Sequence, residues 1–477
     1  MPRRSIHTAR LTALAICCLA PLTMAATARA GDNDVQGLGP VGTATMHGDA
    51  QSSDTTIHPG PGHGPLRSTF RAKAAACPTI LADSQGRIWS LCTEVFGRAP
   101  VVNLLDPATG ATLASLPITK GALLGGVYAY LDDADRLVLV DGTHRLRRIA
   151  ASTDVAGRAR LSTAASLDLS AFVTATGSTP TDAVVGLVPD RRGHVWLATR
   201  EGKVGVLDPA SGAVSTVALP SGERIDNSIS ASPRGVAVAT SHALYLLDDA
   251  DGTPTIRWRR AYDRGTARKP GQLSWGTGAT PTFLGPDGSD EYLTITDNAD
   301  GQEHLLVLRT ADGSTVCEPA IFRRGASGTE NSAMGHGRSI IVASTYGYPY
   351  PALPEGAGRS VPSSAQFTVG GMERWEVTPD GSGCNRRWSR PVLSAAVPRW
   401  SLADDTIYTI ERPAPLGITG TIFNAVSIDA STGATTSRTA VGWSGLRDSL
   451  QMVGTITPQS VWWQGTMTGV LRMDRKG

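Results

Sequence analysis

Three carboxylate–carboxamide dipeptides stand out in this sequence: Asp226-Asn227, Asp297-Asn298 and Glu330-Asn331, with Asp300 just beyond the second. Each concentrates oxygen donors within one residue step, and all-oxygen donor sets suit a hard cation such as calcium (Ca2+). Brought together, they would hold an ion able to polarise a carbonyl on a bound ligand. His242 is the candidate general base, since imidazole titrates near neutrality. His144, His194, His304 and His336 are scattered along the chain. Two loops add binding chemistry. Arg264, Arg268, Lys269 and Trp275 share the stretch 264–278, and Tyr346, Tyr348 and Tyr350 open a Tyr/Pro/Gly-rich run to about residue 370. Cations and aromatic rings over one opening suit a small or saccharide-like ligand. The plainer reading is that Asp and Asn only make turns and pin loops. No G-x-S-x-G, H-E-x-x-H or P-loop occurs, and the G-x-G-x-x-G at 37–42 has no strand before it or helix after it.

Positions so far apart in sequence need a scaffold that returns to one place repeatedly, and the chain contains one. From Cys77 onward a unit recurs, with an inner hairpin followed by an outer one. The outer turns read Asp106-Pro107-Ala108-Thr109-Gly110, Asp208-Pro209-Ala210-Ser211-Gly212 and Asp429-Ala430-Ser431-Thr432-Gly433. Asp bonds the turn backbone and Gly takes the positive φ that closes it. Inner hairpins fall near 77–92, 122–140, 184–199, 226–240, 278–296, 330–344, 395–410 and 449–463. The expected fold is therefore all-β, a β-propeller of eight blades. Seven is the alternative, because the second unit lacks a clean outer turn and the last is short. A strand near 66–72 could complete that last blade and close the ring. In such a ring the loops before each inner strand and after each second strand share one mouth of the channel. All three acid–amide pairs and both long loops belong to that mouth.

The remaining segments are read from composition. Arg3, Arg4 and Arg10 precede an apolar stretch from Leu11 to Ala26, and Ala28-Arg29-Ala30 offers a cleavage site. This is the pattern of a signal peptide over 1–30, cleaved after Ala30, with Tat and Sec export both open, and it predicts a secreted or extracytoplasmic protein. Its removal takes four arginines and no acid, so the net charge passes from +2 to −2. That balance argues against nucleic acid as a partner, and no membrane span is expected. Residues 31–65 are rich in Gly, Pro, Ser and Thr without apolar periodicity, and read as a disordered linker ahead of a propeller over 66–477. Four cysteines remain after cleavage. Cys77 and Cys92 lie equally far from the turn at 83–86, which places them opposite each other in a hairpin. Cys317 and Cys384 then pair by elimination. A monomer is the expected state.

Two resemblances follow from these residues. The D-x-x-T-G outer turn followed by a strand ending in Trp, as at Trp258 and Trp388, resembles the repeats of quinoprotein-like (PQQ-like) propellers. That likeness implies architecture. The family's adjacent-cysteine feature has no counterpart after residue 30, so PQQ is not expected. The acid–Asn pairs resemble the calcium-dependent lactonase and gluconolactonase propellers. This second likeness implies a metal-dependent hydrolase or lyase, whereas the rival reading is a non-catalytic binding or scaffold propeller.

Overall fold

Asp83 shows why the inner hairpins form. Its Oδ1 accepts from the amides of Gln85 and Arg87, and its Oδ2 accepts from Arg87 Nε at 2.6 Å and Trp89 Nε1 at 2.8 Å. One carboxylate thus closes the turn and fixes a fully buried indole. Asp190 repeats the arrangement with Trp196, whose Nε1 donates to Oδ2 at 3.0 Å. The outer turns use the same principle. Asp429 Oδ1 accepts from the amide and hydroxyl of Thr432, both at 2.7 Å, and Gly433 takes a φ of 71°.

These hairpins assemble into eight four-stranded antiparallel sheets, joined by a fifth strand in one case. The computed structural model describes Met1 and residues 35–476, apart from 122–127, 175–181, 355–356, 359–366 and 413–420. The proposed signal peptide therefore lies outside the described residues, Met1 apart. In chain order the blades span 75–117, 130–168, 184–218, 230–261, 282–317, 334–390, 399–442 and 454–475. The eighth is completed by the strand Leu66–Ala72, antiparallel to Gly469–Arg475 from Leu66↔Arg475 to Ala72↔Gly469. This pairing closes the ring and settles the count at eight. The second blade does have an outer turn, at 154–157, where Asp154 Oδ1 accepts from Ala156 and Arg158 and Gly157 takes a φ of 76°.

Blades adhere through side chains wedged between neighbouring sheets, as expected for a core of stacked apolar faces. Trp258 and Trp388 reach from outermost strands to the next blade, donating to the carbonyls of Thr310 and Ala430, each at 2.9 Å. Both disulfides form as expected. Cys77–Cys92 staples the first inner hairpin, at a bulge in its register, and Cys317–Cys384 joins the outermost strands of blades 5 and 6.

The segment read as a linker is where the structure departs most from the sequence. Residues 42–56 enter the ring and pass from blade to blade around the innermost strands, mostly buried. Their carbonyls accept from innermost strands around the channel: Thr43 from Ala82, Ala44 from Leu131, Ala50 from Ala231, Gln51 from Phe283, Ser53 from Gly335 and Asp54 from Trp400. Thr55–Thr56 also pairs in parallel with Trp400 and Ser401. The physical reason is that every innermost strand presents an unpaired edge to the axis, and buried N–H groups need acceptors. A Gly/Ser/Thr/Ala-rich chain is slender enough to supply them. Low apolar content marks a plug for a narrow channel here, rather than disorder.

Candidate functional site

The mouth loops bring Glu330 of one acid–amide pair into the neighbourhood of the Asp226-Asn227 pair. Glu330 precedes the innermost strand of blade 6, and burial raises its carboxyl to about 8, with the neighbouring Asp226 charge adding to the shift. Ser274 Oγ donates to Glu330 Oε1 at 3.3 Å, and the amides of Leu273 and Ser274 also lie close. Oε2 is buried and makes no hydrogen bond among the described residues. Asp226 is partly exposed and pairs with Arg224 at 3.4 Å. Asn227 Oδ1 accepts from the Tyr128 hydroxyl at 3.4 Å. Burial, then the Glu330 charge, holds the Tyr128 and Tyr350 phenols above their ordinary range. Tyr350 Oη is likewise buried and has no hydrogen-bond partner among the described residues. Asp226, Asn227, Glu330, Tyr128 and Tyr350 therefore share one electrostatic neighbourhood.

The other predicted ligands are committed elsewhere. Asp297 Oδ1 accepts from the amides of Ala299 and His304, and Oδ2 faces His304 Nδ1 at 2.8 Å. Asn298 Nδ2 donates to the carbonyls of Arg264 and Ala267 at 2.7 and 3.1 Å, which pins the start of the 264–278 loop. Asn331 Nδ2 donates to Gln451 Oε1 at 3.0 Å. Calcium takes six to eight oxygens. Asn298 and Asn331 are engaged through their amide nitrogens, Asn298 Oδ1 is buried without a hydrogen-bond partner among the described residues, and Asp297 clusters with His304 and Glu318.

His242 is also engaged on both sides. Its Nδ1 lies 2.8 Å from Ser241 Oγ, and its Nε2 lies 2.5 Å from Arg264 Nη1. Burial and then the guanidinium charge lower its pKa. The ring accepts from Arg264, so it is not poised as a free base. The 264–278 loop is not an open flap either. Arg268 and Lys269 are buried, with Arg268 Nη1 on the Gln272 carbonyl and Lys269 Nζ 3.4 Å from Glu303 Oε1. Trp275 stacks under the Arg264 guanidinium at 3.9 Å and donates to the Arg264 carbonyl at 3.0 Å. In the tyrosine loop, Tyr348 is buried and donates to Asp448, which also pairs with Arg412. Tyr348 and Tyr350 stand 4.8 Å apart, tilted, and Tyr346 packs beside Gly328.

Below the mouth lies a polar centre that sequence reasoning missed because it belongs to the supposed linker. His47 Nδ1 lies 3.0 Å from Asp54 Oδ1, and Ser332 Oγ donates to Asp54 Oδ2. The fully buried Arg399 donates to the Met46 and Gly454 carbonyls, with Asp54 at 3.8 Å. A cavity of about 20 Å³ lies against this segment, lined by His47, Asp49, Tyr128 and Ser228 among others. It is large enough for a water molecule. Tyr128 thus touches both the amino-terminal segment and the neighbourhood of Asn227 and Glu330.

No family model matches the chain. It is 31% identical over 121 residues to an uncharacterized protein of Archaeoglobus fulgidus, which covers 24% of this chain and 23% of that protein. The chain therefore matches under a quarter of that relative's length. Solved structures similar to it include the quinohemoprotein alcohol dehydrogenase of Comamonas testosteroni, with a TM-score of 0.58, 10% identity, and coverage of 91% of this chain and 81% of that one. Another is the quinohemoprotein alcohol dehydrogenase ADHIIG of Pseudomonas putida HK5, at TM-score 0.59 and 10% identity, covering 91% and 80%. The Dos1 propeller gives a TM-score of 0.50 at 10% identity, covering 86% and 95%. At these identities the likeness carries the ring architecture and not its chemistry. The residues present do not fit a quinone on the axis, since 43–56 fill the channel there.

Proposed function

We infer that the protein is an exported β-propeller whose plugged channel forms a cup for a small, polar, saccharide-like ligand. The observation carrying this reading is a pair of buried oxygens without a hydrogen-bond partner among the described residues, Glu330 Oε2 and Tyr350 Oη, in one neighbourhood at the mouth. A buried polar group without a partner costs about 1–3 kcal/mol. A ligand hydroxyl that satisfies both would recover that cost on binding. Glu330, protonated over much of the neutral range, both donates and accepts, which suits a neutral polyol better than an anion. Binding without turnover is favoured by the engagement of His242 with Arg264. Export is supported by the two disulfides, which persist in oxidising compartments.

The test is calorimetric titration of the mature chain with a panel of mono- and oligosaccharides, polyols and lactones. A ligand bound by the wild type should bind at least about tenfold more weakly to E330A and Y350F, roughly one hydrogen bond's worth, with each variant retaining a cooperative melt. Absence of any bound member, or binding indifferent to both substitutions, would defeat the reading.

A further inference from the structure

The third inner hairpin departs from its neighbours at one position, and the departure assembles metal-ligating atoms on the face opposite the mouth. In blades 1 and 2, the residue four after the turn aspartate is arginine. Arg87 Nε donates to Asp83 Oδ2 at 2.6 Å, and Arg136 Nε donates to Asp132 Oδ2 at 2.9 Å. Blade 3 has His194 there instead. The shorter imidazole leaves Nδ1 3.7 Å from Asp190 Oδ2 and 2.6 Å from Asp249 Oδ2 of blade 4. Asp249 is 2% exposed, and its Oδ1 is buried without a hydrogen-bond partner among the described residues. One ligand atom from each of Asp190, His194 and Asp249 lies within 4.8 Å of the others.

We propose that Asp190, His194 and Asp249 form a binding site for a divalent ion of the zinc type. One imidazole nitrogen with two carboxylates is a borderline donor set, which suits zinc better than calcium. Zinc holds such ligands at about 2.0–2.2 Å, so they stand roughly 3.4 Å apart around a tetrahedral ion. Small side-chain rotations reach that spacing from the separations present. Asp190 is already oriented, because its Oδ1 accepts from the amides of Arg192 and His194 and its Oδ2 from the Trp196 indole. Asp249 Oδ1, which has no hydrogen-bond partner among the described residues, supplies a free lone pair.

The local charge favours a cation. Asp208 lies near enough to feel the His194 charge, which makes three carboxylates with Asp190 and Asp249. Arg192 stands against them, 3.4 Å from Asp249 Oδ2 and 46% exposed. It can swing outward as the ion enters and displaces the proton shared by His194 and Asp249. A bound ion would then tie blade 3 to blade 4. This site is independent of the mouth and of any ligand there.

Titration of Zn2+ alone into the mature protein, with the shift in melting temperature as a second readout, tests the proposal. The expected result is one ion per chain and a rise in Tm, both abolished in D249N. H194R restores the residue of blades 1 and 2, so it should fold normally yet bind zinc roughly 100-fold more weakly or worse. H304A, in the second His–carboxylate cluster with Asp297 and Glu318, should bind like the wild type. Lack of saturable 1:1 binding in the wild type, or equal affinity in H194R, overturns the assignment.

Discussion

Asp54 and Arg399, both fully buried, face each other across 3.8 Å near the ring axis and tie the amino-terminal plug to blade 7. Neither charge reaches water, so each depends on the other and on the polar groups around it. D54N leaves the guanidinium without its carboxylate, and removal of one partner of a buried pair costs about 3–5 kcal/mol. Denaturant unfolding should show a loss of that size, with part of it recovered in D54N/R399M. The plug should also become cleavable between residues 42 and 56 under limited proteolysis, while the blades remain intact.

Glu330 predicts a pH dependence. Its carboxyl is ordinary at 4.5 in the unfolded chain and raised to about 8 in the folded one by burial, with Asp226 contributing. Between those values the folded state retains a proton that the unfolded state has released, so stability falls as pH rises through this window. E330Q has no carboxyl to ionise and so escapes this loss. Its melting temperature should match the wild type near pH 5 and exceed it by roughly 2 °C or more at pH 8.

Asn298 separates a metal ligand from a loop pin. Its carboxamide holds two carbonyls of the 264–278 loop. N298A should therefore cost about 1–3 kcal/mol of stability, measured by thermal or chemical unfolding. Added calcium should leave the melting temperature of the wild type unchanged. A calcium-dependent rise that N298A abolishes would restore the ligand role.

Gly433 predicts a steric limit on blade contact. A Cβ there would lie 2.7 Å from the Trp388 ring, and its φ of 71° is strained for any other L residue. Gly97 shares the positive φ but has open space around it. G97A should cost about 1 kcal/mol from backbone strain alone, whereas G433A should cost clearly more, by equilibrium unfolding of the two variants side by side.

The disulfides should differ in worth. Cys77–Cys92 closes 15 residues and Cys317–Cys384 closes 67. Chain-entropy arguments give about 3 and about 4 kcal/mol respectively. The C317S/C384S double variant should thus melt lower than C77S/C92S, as calorimetry of both would show.

The repeat, the eight blades, the closing strand at 66–72 and both cystine pairs were legible in the sequence. All of them follow from local chemistry: Asp and Gly make turns, alternating apolar residues make strands, and two cysteines flanking a turn face each other. The mouth was legible only as a list of residues. Asp226, Asn227 and Glu330 do share a neighbourhood, whereas Asp297 turned to His304 and Asn298 to a loop backbone. A dipeptide cannot specify which of its possible partners lies nearest in three dimensions, and for polar side chains the nearest partner wins. Tertiary structure alone decided the role of residues 42–56. Their composition looks unable to build a core, and by itself it is. The ring supplies the missing partners, a circle of inner-strand edges whose buried N–H groups need acceptors, and those donors are arrayed around the segment's carbonyls only once the blades have closed.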